Sequence, residues 1–220
     1  MTAIRTDLGR FVKEVEKYEC EPVHTGKVLL YGSSFFRVWG NAAEEQLENL
    51  GGYGVLNHGF GGATGDELLY YYTRLVRPYC PKALIVRGGI NDIINGYSAK
   101  QAAELTYRIA EWSQYDFHGI PVVLLQLFES PCCAKWKESG KFCEMQEYNH
   151  LLNEYCQNNP QIYTLNISNL MYDGNEHCGS LLGFRDIFQE DGLHLTEEGY
   201  RFIAPLFKQQ IEALFGNKLL

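Results

Sequence analysis

No stretch of this chain is both apolar and long enough to span a bilayer as a helix, which excludes an integral helical membrane protein. The start, Met1-Thr2-Ala3-Ile4-Arg5-Thr6-Asp7, lacks the apolar segment of a secretory leader, so no export signal is expected. No block of like charge stands out. The formal net charge of -8 and the pI near 5.3 speak against a nucleic-acid-binding surface. Internal repeats, low-complexity tracts and Pro/Gly/Ser linkers are missing too, so residues 1–220 are expected to form one domain. The seven cysteines are odd in number and unevenly spaced, which is no disulfide framework; reduced thiols in a cytoplasm are expected. Cys132, Cys133, Cys143, His177 and Cys178 match no usual zinc-ligand spacing, so no metal or cofactor is expected.

What is present is an alternation of short apolar runs with longer amphipathic segments. Lys27–Tyr31, Tyr53–Asn57, Ala83–Arg87, Pro121–Leu127 and Gln161–Leu165 read as strands. Their Val, Ile and Leu content without period-two alternation suits parallel strands covered on both faces. Thr64-Gly65-Asp66-Glu67 and Ser98-Ala99-Lys100-Gln101 are capping boxes that open helices, and Thr196-Glu197-Glu198 opens a C-terminal one. A further helix is predicted over about residues 5–18. The alternation implies right-handed βαβ units and a three-layer α/β/α sandwich.

Ligands of open parallel sheets bind beyond the carboxyl ends of the strands. Three chemistry-bearing segments fall there: Gly32-Ser33-Ser34, His58-Gly59-Phe60-Gly61-Gly62 and Gly88-Gly89-Ile90-Asn91-Asp92. Ser34 suits a nucleophile exposed by a tight turn at Gly32, although serine is also a favoured helix cap. The glycine-rich turn can bring the Gly62 N–H to a ligand, or it is simply a tight βα turn. Asn91 could donate its amide to a developing oxyanion, or stabilise its own turn, with Asp92 stiffening the same loop. Asp191-Gly192-Leu193-His194 places an acid three residues before a base, although Asp-Gly is also an ordinary turn pair. Arg37 and Arg87 lie near the rim and could meet an anionic group or form structural ion pairs.

The order Gly32-Ser33-Ser34, Asn57-x-Gly59-x-x-Gly62, Gly89-x-Asn91-Asp92 and Asp191-x-x-His194 resembles the four blocks of the GDSL or SGNH hydrolases. The resemblance implies a flavodoxin-like, doubly wound parallel sheet of about five strands and a serine esterase, thioesterase or acylhydrolase activity. It makes Ser34 the nucleophile, His194 the base and Asp191 its partner. It also makes the Ser34 and Gly62 amides and the Asn91 side chain the oxyanion donors. Ser33, Arg37, Gly59 and Asp92 are then candidates for substrate contact. The chain departs from the family in carrying Ser33 where an Asp is usual, which leaves Ser33 as an alternative nucleophile. A Gly-Ser-Ser variant followed by Arg and Trp, here Arg37 and Trp39, occurs in a bacterial subgroup of these enzymes. The segment Glu129–Phe142 is expected to be a rim loop that shapes the substrate pocket. Short-chain esters, carbohydrate acetyl esters among them, are the expected substrates, with lysophospholipids and thioesters as alternatives. A non-catalytic carbohydrate- or acyl-group-binding protein on the same fold is the competing reading.

Overall fold

The computed structural model describes residues 7–173 and 183–216. Its five strands are β1 (Val28–Gly32), β2 (Val55–Gly59), β3 (Ala83–Arg87), β4 (Val122–Leu125) and β5 (Ile162–Leu165). They form one sheet in the order β2-β1-β3-β4-β5, and every pairing is parallel. This is the flavodoxin-like order, with its topological switch between β1 and β3.

Strand parity divides the core into two layers. Leu29 and Tyr31 of β1, Leu84 and Val86 of β3, and Val122 and Leu124 of β4 face one side. That side is covered by α1 (Val12–Glu19), α4 (Gly65–Leu75), α6 (Ala99–Asp116) and α8 (Lys141–Gln157). Val28, Leu30, Ala83, Ile85, Val123 and Leu125 face the other. There α2 (Ser34–Trp39), α3 (Ala42–Gln46) and α9 (Glu197–Phe215) pack, with Trp39 stacked on Tyr200 at 5.1 Å. Both faces being buried explains why the strands read as continuous apolar runs. Two short helices complete the set, α5 (Ile90–Ile94) and α7 (Cys133–Glu138).

Several boundaries differ from expectation. The N-terminal helix divides into a 3-10 turn over Leu8–Phe11 followed by α1, while residues 5 and 6 lie outside the described residues. β2 runs two residues later than expected, so His58 and Gly59 still pair with Tyr31 and Gly32 and the glycine turn begins at Phe60. Asn57 on this edge strand donates its backbone N–H to Glu44 Oε1 at 3.0 Å, which occupies a donor that an open edge would expose. The expected rim loop Glu129–Phe142 is largely helical: α7 occupies its centre and α8 begins at Lys141. Cys133 is fully buried at the start of α7 and Phe142 at the start of α8, so apolar burial organises a segment whose composition suggested an open loop. No helix among the described residues is long and apolar enough to cross a membrane.

Candidate active site

The end of β1 is pressed against the end of β3. A Cβ on Gly32 would lie 2.3 Å from the Arg87 carbonyl oxygen, the same oxygen that accepts the Ser33 N–H at 3.1 Å. Glycine is needed at position 32 for space; its φ is not left-handed. The chain turns directly into α2, of which Ser34 is the first residue. The N-cap position belongs to Ser33, whose buried side chain makes no capping bond, so neither hydroxyl is spent as a helix cap. The Ser34 N–H lies in the first turn of α2, where backbone donors have no intrahelical acceptor.

The candidate base, His194, arrives from the loop that precedes α9. His194 Nδ1 lies 2.5 Å from Asp191 Oδ2, while Asp191 Oδ1 accepts the backbone N–H groups of Leu193 at 2.8 Å and His194 at 3.0 Å. One carboxylate thus shapes the turn with one oxygen and orients the imidazole with the other. Gly192 N–H donates to the Gln189 carbonyl at 2.9 Å and Gln189 N–H to the His194 carbonyl at 2.7 Å, closing the loop on itself. Partial burial disfavours the charged Asp191 carboxylate. The donors from His194 and Leu193 outweigh that effect and hold it below the usual carboxylate range. His194 Nε2 is buried and has no hydrogen-bond partner. It lines a small cleft together with Ser33, Ser34, Phe35, Arg87, Ile90, Phe128 and Leu193. His194 and Ser34 thus line one cleft, with the Nε2 of the imidazole left without a hydrogen-bond partner.

Gly62 has φ +77°, the left-handed region that favours glycine. Asn91, in the first turn of α5, donates its Nδ2 to the Ala63 carbonyl at 2.9 Å, so the two candidate oxyanion donors are tied together through one residue. This glycine turn is held from outside by α1 and the turn before it. Arg10 Nη2 donates to the Gly62 carbonyl at 2.8 Å, Glu14 Oε1 accepts the Gly61 N–H at 3.4 Å, and the Tyr18 hydroxyl donates to the Gly59 carbonyl at 2.6 Å. Residues 10, 14 and 18 recur every four positions, the spacing of one helical face. The peptide that carries the Gly62 N–H therefore lies between two anchored peptides. Arg10 also pairs through Nε and Nη2 with the fully buried Glu67 of the Thr64 capping box. Sequence inspection missed this clasp, because the periodicity was visible but its partners lie 41 to 52 residues away.

The remaining candidates have other duties. Gly59 is no ligand contact: a Cβ there would lie 2.4 Å from Arg37 N and 2.6 Å from Phe36 C, so it admits the close packing of β2 on α2. Asn57 supports that approach, donating Nδ2 to the Phe36 and Gly40 carbonyls, both at 2.8 Å. Asp92 is fully buried, and its Oδ1 accepts the Gly65 N–H at 2.8 Å, which makes it a brace of the α4 start. Its Oδ2 is buried without a partner, and desolvation raises the carboxyl to about 7. Arg37 is exposed with its guanidinium against Gly61, where a Cβ would lie 2.2 Å from Nε. Arg87 is buried against the rings of Phe35 and Phe128, at 4.8 and 4.4 Å from their centroids. The segment before α7 joins the base loop through the Cys132 N–H, which donates to the Gly192 carbonyl at 3.0 Å. Among the described residues no cluster of three or more His, Cys, Asp or Glu side chains is placed to hold a metal ion; His177 and Cys178 lie outside those residues.

Comparison with known proteins agrees with this arrangement of elements. Residues 29–202 match the GDSL-like lipase/acylhydrolase family model. A GDSL-like lipase from Bacteroides thetaiotaomicron superposes with a TM-score of 0.72 at 20% identity, covering 94% of this chain and 98% of that one. The lipase/acylhydrolase from Enterococcus faecalis gives 0.66 at 17% identity, covering 86% and 96%. The psychrotrophic esterase EstA from Pseudoalteromonas sp., solved as inhibited by monoethylphosphonate, gives 0.62 at 15% identity, covering 88% and 98%. At these identities the likeness concerns the fold. No curated protein matches the sequence.

Proposed function

The chain belongs to the GDSL-like lipase/acylhydrolase family, and from that membership we propose that it is a serine esterase cleaving short-chain acyl esters through an acyl-enzyme on Ser34. The observation that supports this reading is His194, whose Nδ1 is held by Asp191, whose Nε2 has no hydrogen-bond partner, and which lines one cleft with Ser34. In the first step Ser34 Oγ bonds to the ester carbonyl carbon as His194 Nε2 takes the hydroxyl proton. The carbonyl oxygen becomes an oxyanion that meets the Ser34 and Gly62 N–H groups and the Asn91 amide. The bond to the leaving oxygen then breaks and His194 protonates the departing alcohol. Water, deprotonated by His194, releases the acid by the same steps in reverse order.

The cleft favours small acyl groups, because Phe35, Ile90, Phe128 and Leu193 close around the serine. Carbohydrate acetyl esters are therefore the first natural substrates to test, ahead of lysophospholipids and long-chain thioesters. Ser34→Ala should abolish hydrolysis of a chromogenic acetyl ester, and a serine-directed phosphonate should add its mass to Ser34. Full activity in Ser34→Ala, or phosphonate on Ser33, would overturn the assignment. A folded sample with neither turnover nor labelling would point to a non-catalytic binder of carbohydrate or acyl groups.

A further inference from the structure

Strand parity puts Arg87 on the same face as Ala83 and Ile85, at the last position of β3, where the core opens into the cleft. Every other β3 side chain on that face is apolar and buried. Arg87 is only 4% exposed, donates through Nη1 to the Gln126 carbonyl at 2.5 Å, and packs against the rings of Phe35 and Phe128, which themselves meet edge to face at 5.6 Å. Burial pushes Arg87 down to about 10, still far above neutral pH, and no carboxylate among the described residues contributes to its electrostatics. Six other arginines each meet an acid: Arg10 with Glu67, Arg74 with Glu19, Arg77 with Asp116, Arg108 with Glu104 and Glu111, Arg185 with Asp173, and Arg201 with Glu197, whereas Arg37 is exposed.

A buried cation without a counter-ion is costly, and two ring faces with one carbonyl offset only part of that cost. A methionine would pack against the same rings without desolvating a charge. Packing alone therefore does not account for arginine at this place. The side chain shares its cleft with Ser34 and His194, so a molecule positioned for attack by Ser34 comes within reach of it. Resting on the esterase reading above, we propose that Arg87 is a substrate-binding residue whose missing counter-ion is supplied by the substrate: an ester that carries a carboxylate or phosphate group close to the scissile bond.

The aromatic pair gives the subsite its selectivity. Phe35 and Phe128 pack against the guanidinium and the Gln126 carbonyl takes one of its N–H groups, which holds the side chain in place and leaves its remaining donors for an anion. The low dielectric that makes the unpaired cation costly also strengthens its attraction for an incoming anion. A neutral ester leaves the cation unpaired and gains none of this.

Two matched ester pairs test the proposal and separate the possible positions of the charge. In the first, 4-acetoxybenzoate and its neutral methyl ester place the charge on the leaving group. In the second, the mono-4-nitrophenyl ester of glutaric acid and 4-nitrophenyl pentanoate place it on the acyl group. Within each pair kcat/KM is compared after the enzyme-free background rate is subtracted, because the free carboxylate of the glutaric monoester speeds its own spontaneous hydrolysis. The wild-type chain should prefer the anionic member of at least one pair by about 10- to 100-fold, the range of one charge-assisted hydrogen bond. Arg87→Met should bring that ratio close to one. A wild-type ratio near one in both pairs, or a preference that survives in Arg87→Met, overturns the proposal. Should Arg87→Met fail to fold, inhibition of neutral-ester turnover in the wild type decides. Benzoate or phenyl phosphate should inhibit at least tenfold more strongly than benzyl alcohol, and equal inhibition overturns the proposal. Neutral-ester turnover without anion preference defeats the subsite alone, whereas no turnover and no labelling of Ser34 defeats the esterase reading and this proposal with it.

Discussion

Two buried groups on opposite flanks of the switch point should make the stability of this chain almost independent of pH in a window where each alone would move it strongly. Asp92 holds its proton to about pH 7 when folded, against about 3.9 when unfolded. Between those values the folded chain binds the extra proton, so its contribution is present at low pH and is lost as pH rises toward 7. His58 does the reverse. Burial between Tyr18 and Tyr79 lowers it to about 4, despite the Leu75 carbonyl 2.7 Å from Nδ1. Its unfolded value is about 6.5, so the unfolded chain binds the extra proton and stability rises with pH across the same range. Integrated from pH 5 to pH 7, Asp92 removes about 2 kcal/mol and His58 adds about 2 kcal/mol.

Single variants should uncover the two slopes. Relative to wild type, Asp92→Asn should gain about 2 kcal/mol on going from pH 5 to pH 7, and His58→Gln should lose about the same. The two share no hydrogen-bond partner, so the double variant should return to the wild-type profile. Urea unfolding followed by the fluorescence of the three tryptophans reads this as a midpoint change of about 1 M, for a slope near 2 kcal/mol per molar. The comparison uses differences from wild type, so other carboxylates cancel, Glu44 with its burial-raised value included. An Asp92→Asn profile parallel to wild type would refute the reasoning, since it would mean that the buried carboxyl keeps an ordinary affinity for its proton.

Two further outcomes follow from the backbone around the site. Gly59→Ala should cost at least 3 kcal/mol or prevent folding, because its Cβ would meet the backbone of α2 and not a flexible side-chain tip; a thermal melt within 2 °C of wild type would contradict this. Arg10→Met should lower kcat several-fold with little change in KM, by freeing the peptide after Gly62. It should also cost about 2–3 kcal/mol by leaving the buried Glu67 carboxylate without its partner. The added Glu67→Gln change should restore stability but not kcat, and recovery of both would mean that the clasp serves stability alone.

The strands, their parallel pairing and the order of the four blocks were legible because each depends on local composition. Apolar runs mark β1 to β5, and capping boxes mark the starts of α4 and α6. The Asp191 and His194 pairing was legible for the same reason: both lie on one short loop. Less visible was why glycines stand where they do. Gly32 and Gly59 read as turn formers, but they are sites where two backbones approach too closely for a Cβ. The segment at 129–142 read as a loop because its lysines and proline hid the buried Cys133 and Phe142.

The order of residues along the chain thus determined the parallel sheet, the rim that carries the candidate site, and the Asp191–His194 hydrogen bond, since all three are set within a few residues of one another. Tertiary structure alone decided the state of the charges. Asp92 and Arg87 are both written as ordinary rim residues, yet one is buried as a proton-holding brace and the other is buried against two rings with no counter-ion among the described residues. It also decided that Arg10, Glu14 and Tyr18 grip a glycine turn far along the chain. The physical reason is the same in each case. Burial and pairing depend on which distant segments close around a group, and a carboxylate or guanidinium takes its energy from that enclosure and not from its neighbours in sequence.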